Sequence, residues 1–166
     1  MGVSSDAGNI EELMKFIENK NAGESMRDAV IRYYISIGES SGITVTKDVG
    51  VIVNGVEIGT VDCVIANPAS IAVAYAEDKL GALLGLWILA EFGPRIGILA
   101  MSSGGRSLIS DVSSIIRRSH LLRYSAVRFF VIDIEGGRKE VIQRRGGPSE
   151  RRKIIKGKRP AYKKQD

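Results

Sequence analysis

Asp62, Glu77 and Lys79 fall within one stretch, residues 56–79 (VEIGTVDCVIANPASIAVAYAEDK), and are of types that chemistry uses. Asp62 stands among Val61, Cys63, Val64 and Ile65, and a charge inside an apolar strand is costly unless something pairs with it. Glu77 and Lys79 follow the apolar run IAVAYA. They end that strand, and because side chains alternate along a strand, Glu77 and Lys79 share a face and the Asp78 side chain points the other way. Two carboxylates and a lysine then converge where two strands end, and one divalent cation would pair with both carboxylates. A competing reading makes Glu77 and Asp78 first-turn acids of a following helix, favoured by its dipole, and Asp62 an edge-strand charge.

These residues need a scaffold, and the flanking sequence predicts one. Residues 10–20 carry Ile10, Leu13, Met14 and Ile17 at helical spacing. A second helix is expected from about Glu24 to Ile37, with Met26, Val30, Ile31, Tyr34 and Ile37 as its apolar stripe and Gly38 as its end. Residues 43–53 predict a strand, Asn54-Gly55 a two-residue hairpin turn, and 56–65 the second strand. Asn67-Pro68 turns the chain into a third strand, 71–77, completing an antiparallel meander. Residues 80–92 predict a buried helix facing the core with Leu80, Leu83, Leu84, Trp87 and Ile88, stopped by Gly93-Pro94. A buried strand over 96–101, a Gly-rich turn, a helix over about 107–124 and a hairpin around Gly136-Gly137 follow. The Gly-rich turn lacks the Gly-Lys-Ser/Thr of a nucleotide-binding loop. The sole histidine, His120, has no partner in sequence for a metal site or a triad. Asp133 and Glu135 would share a strand face, with no lysine at the required spacing.

An aspartate after an apolar run, then Glu-x-Lys ending the next strand, resembles the PD-(D/E)xK nuclease superfamily. Here those residues are Asp62 and Glu77-Asp78-Lys79, with Val61 where the family usually has proline. The order helix, three-strand meander, helix, strand is that family's core, so the resemblance covers residues 24–101. It implies an α/β, restriction-endonuclease-like fold whose mixed sheet is flanked by helices. It implies Mg²⁺ or Mn²⁺ held by Asp62 and Glu77, with the Asp78 carbonyl and Glu24, in the first turn of the preceding helix, completing the oxygen shell. Glu24 reads equally as a favourable N-terminal charge. The metal would activate water and neutralise phosphate charge, and Lys79 would stabilise the transition state. The implied activity is a metal-dependent endonuclease acting on DNA. Small basic chains with an early glutamate look most like archaeal Holliday-junction resolvases. Cutting a duplex implies a homodimer, for which the sequence carries no motif.

Net charge divides the chain. Residues 1–137 hold 12 Lys+Arg against 16 Asp+Glu, whereas 138–166 hold 12 against 3, so a core of net −4 carries an end of net +9. The sequence predicts an α/β domain over 1–143 and a basic segment over 144–166 suited to a polyanion. Arg151, Arg152, Lys153, Lys156, Lys158 and Arg159 are its densest cations. The alternatives to a nuclease are a non-catalytic nucleic-acid-binding protein and a small subunit docking through this segment. One cysteine, Cys63, excludes an internal disulfide and a cysteine-based zinc site. No apolar run reaches membrane-span length and the N-terminus lacks a signal-peptide pattern, so no membrane partner and an intracellular location are expected. Two glutamines and abundant isoleucine point to a thermophilic source.

Overall fold

A computed structural model describes residues 10–65, 70–102, 105–119, 122 and 125–142. The elements are α1 (Ile10–Glu18), α2 (Met26–Ser40), β1 (Val45–Val53), β2 (Val56–Ile65), β3 (Ile71–Ala76), α3 (Lys79–Phe92), β4 (Ile96–Met101), α4 (Gly105–Arg118), β5 (Arg128–Asp133) and β6 (Arg138–Ile142). The expected turns at 66–69 and 103–104, His120 and the cations from Arg151 to Arg159 lie outside the described residues.

One six-stranded sheet runs in the order β1-β2-β3-β4-β5-β6. β1, β2 and β3 form the antiparallel meander; β3, β4 and β5 are parallel; β6 returns antiparallel. Asn54 and Gly55 both take positive φ, 52° and 80°, as a tight hairpin with the twist of its strands requires. β3 and β4 are buried nearly throughout because both sheet faces are covered. Val64, Ala72, Ala74, Leu99, Phe129 and Val131 face α3 and α4, while Ile65, Ile71, Val73, Ile98, Phe130 and Ile132 face α1 and α2. The result is an α/β protein with a mixed open sheet between two helical layers.

Two helix ends differ from the sequence expectation. α2 begins at Met26, with Ser25 as its cap: Ser25 Oγ accepts the Asp28 N–H at 3.1 Å. Glu24 therefore precedes the helix. At its other end α2 passes through Gly38, which is buried where a Cβ would collide with Val45. The left-handed residue is Gly42, and the Ile43 N–H closes the helix end on the Gly38 carbonyl at 2.8 Å. The strand expected over 71–77 stops at Ala76, because Asp78 caps α3: its Oδ1 accepts the Gly81 N–H at 2.7 Å. Lys79 is thus a first-turn helix residue, and strand alternation does not govern 77–79. Nor does α3 bury the expected face. Ala82, Gly85, Leu86, Ile88 and Leu89 face the core, and Leu80 and Leu84 are exposed. β5 ends at Asp133, whose Oδ1 accepts the Gly136 N–H at 3.1 Å, so Glu135 lies in the turn and shares no strand face with it.

Candidate functional site

Asp62 sits where β2 and β3 part. The direct pairs of these strands are Cys63–Val73, Val64–Ala72 and Ile65–Ile71. Beyond them the Asp62 carboxylate supplies the missing rung: its Oδ2 accepts the Tyr75 backbone N–H at 2.6 Å. Its Oδ1 accepts Arg27 Nε at 3.0 Å and Nη2 at 2.7 Å, from the first turn of α2. The cation that this acid needs is therefore a guanidinium. Arg27 Nη2 also reaches Asp48 on β1 at 2.9 Å, and Nη1 lies 3.5 Å from Asp28. Burial works against the charge on Arg27, but the hydrogen bonds and charges of Asp62 and Asp48 outweigh it and raise its pKa. One residue thus ties a helix to two strands.

Tyr75 is the second organising residue. Its N–H serves Asp62, and its hydroxyl hydrogen-bonds Glu77 Oε2 at 3.0 Å and Ser102 Oγ just beyond β4. A phenol has one proton to give, so it donates to the carboxylate and the Ser102 hydroxyl donates in return. Burial raises the Tyr75 pKa to about 12; the Ser102 hydrogen bond works against the rise, and Glu77 and the nearby charge of Glu135 add to it. A phenol held so firmly protonated is a hydrogen-bond donor and no base at neutral pH.

The remaining predicted residues have other partners. Lys79 Nζ lies 3.2 Å from Asp111 Oδ2 of α4, both side chains being exposed. The Asp78 carbonyl accepts the Ala82 N–H at 3.0 Å as part of α3. Glu24 is clamped by Arg32, with Nε 2.8 Å from Oε2 and Nη2 2.9 Å from Oε1, while the Asn21 N–H donates to Oε1 at 3.0 Å. These bonds, led by Arg32, lower the Glu24 pKa to about 2. Cys63 is buried in the sheet, and burial raises its thiol to about 12, as suits a small apolar side chain.

The structure brings Asp62 and Glu77 to opposite ends of one tyrosine and leaves Lys79 and Glu24 in separate ion pairs. As donors for a metal they do not fit: both Asp62 oxygens are engaged, the Asp78 carbonyl is a helix acceptor, and Glu24 belongs to Arg32. Among the described residues no group of three or more His, Cys, Asp or Glu is placed to hold a metal ion. No family model, curated protein or solved structure matches the chain. Sequence reasoning missed Arg27, Tyr75 and Ser102. A signal for Arg27 existed: an aspartate in an apolar strand demands a cation, and the helix before that strand offers arginines.

Proposed function

We propose that this chain binds nucleic acid through its basic C-terminal segment, and that its nuclease-like core does not hydrolyse what it binds. The observation that carries the second half is the Arg27 guanidinium on Asp62, where hydrolysis would need a metal. Register supports the same reading. Cys63 pairs with Val73, and one step beyond that pair the Asp62 carboxylate takes the Tyr75 N–H of β3, while Glu77 stands two residues further on. The order α2, β1–β3, α3, β4 agrees with the nuclease-like order expected from the sequence. Affinity would come from the net +9 of residues 138–166, whose lysines and arginines displace counterions from a phosphate backbone.

Fluorescence anisotropy with labelled duplex DNA, single-stranded DNA and RNA, over a salt series, tests the binding. The expected result is an affinity that falls steeply with salt. Parallel incubations with Mg²⁺ and with Mn²⁺ should give no cleavage above the level of Asp62→Asn. Metal-dependent cleavage that disappears in Asp62→Asn and Glu77→Gln would replace this reading with a metal-dependent endonuclease. Absence of binding to all three probes would remove nucleic acid as the partner.

A further inference from the structure

α3 has the sequence KLGALLGLWILAEF, and its charged residues are Lys79 at one end and Glu91 near the other. A helix apolar on all sides is normally covered on all sides. α3 is covered on one: Ala82, Leu86, Ile88 and Leu89 pack into the sheet-facing core, and Gly85 lets the helix approach Leu99 and Ala74. On the opposite side Leu80 is 77% exposed and Leu84 46%, with Leu83 and Trp87 half-buried beside them. Leu80, Leu84, Trp87 and Glu91 recur at spacings of four, three and four, which is the seam of a two-helix contact. Trp87 Nε1 donates to Glu91 Oε2 at 3.3 Å, fixing the indole along that seam.

We propose that this face is the interface of a homodimer in which α3 packs antiparallel against α3 of a second copy. The occupant is argued from charge and symmetry. A two-fold interface must be self-complementary. An antiparallel crossing centred between Leu84 and Trp87 sets each Leu84 against the other copy's Trp87. The same register sets each Leu80 beside the other copy's Glu91 and brings Lys79, one residue earlier, toward that carboxylate, so the ends attract twice. A parallel crossing would oppose like charges at both ends. Lys79 already pairs with Asp111 on the same chain, so its role across the interface is to set orientation, and Leu80, Leu84 and Trp87 supply the buried area.

Sedimentation velocity of the full chain over a concentration series tests this. The expected result is a monomer–dimer equilibrium, with Leu84→Glu and Leu80→Glu each weakening the dimer at least about tenfold. Both positions are exposed in the single chain, so at concentrations where wild type is monomeric the circular dichroism and melting temperature should stay those of wild type. Lys79→Glu alone should weaken the dimer, and Lys79→Glu combined with Glu91→Lys should restore it. A wild-type chain that stays monomeric at about 100 μM overturns the proposal and assigns the face to another occupant. A dimer indifferent to both leucine substitutions overturns it as well, as does a charge swap that fails to restore what the single reversal lost.

Discussion

Arg27 holds Asp62 in place, so its removal should be felt by the fold before any ligand is considered. Arg27→Met keeps the aliphatic stem and leaves a carboxylate 13% exposed without its countercharge. Breaking a fully buried pair costs about 3–5 kcal/mol; Arg27 is 38% exposed, so solvent screening brings the expected loss to about 2 kcal/mol by urea unfolding. Asp62→Asn should destabilise too, which reverses what two repelling carboxylates would predict, because the neighbour of Asp62 is a cation. Arg27→Met combined with Asp62→Asn should cost less than the two single losses added together. A single-variant loss below about 0.5 kcal/mol would show the pair to be incidental. Glu24 gives a pH signature. Its pKa falls from 4.5 to about 2 on folding, so the unfolded chain takes up the proton first as the solution is acidified. The stability it contributes is complete above about pH 4.5 and is lost as pH falls toward 2. Thermal melts of wild type and Glu24→Gln should therefore differ at pH 6 and converge near pH 2; a constant difference across that range would refute the Arg32 clamp.

The elements were readable where local chemistry decides and unreadable where tertiary partners decide. Asn54-Gly55 specifies its own turn, and Gly93-Pro94 ends α3 with Gly93 at φ 74° whatever lies nearby. Gly38 and Gly42 show the limit: both could end α2, and the choice falls to Gly42 because Gly38 is needed against Val45. On α3, with apolar residues all round, periodicity could not say which side meets the sheet. At 77–79 the ambiguity was between a strand that continues and a helix that begins. The Asp78 side chain resolves it by capping α3, and the site geometry built on a continuing strand goes with it. Asp78→Ala, silent if the side chain merely pointed away, should cost about 1 kcal/mol, and Asp78→Ser should recover most of it. Differential scanning calorimetry of the two variants measures this. Equal melting temperatures for Asp78→Ala and wild type would return residues 77–79 to the strand.

At the scale of the whole molecule, the parallel stretch of the sheet lacks a switch point. Open α/β sheets bind small molecules in the crevice where strand order reverses. Here β3, β4 and β5 follow one another in a single direction, and both crossover helices, α3 and α4, lie on one face, so that stretch has no reversal. In the reading proposed above a partner is engaged by charge, and positive charge is concentrated in residues 138–166. Removing residues 144–166 takes away ten Lys+Arg and two Asp+Glu and turns a chain of net +5 into one of net −3. The last strand among the described residues ends at Ile142, so the truncation cuts no described element and the melting temperature should hold. The logarithm of the binding constant changes with the logarithm of salt by about −0.9 per phosphate contact on duplex DNA. If the segment makes those contacts, the truncated chain should bind at least about a hundredfold more weakly at low salt and show a slope reduced by several units. A truncated chain that keeps the wild-type slope would place the phosphate contacts on the folded core, whose net charge is negative, and would leave the basic segment without a role in binding.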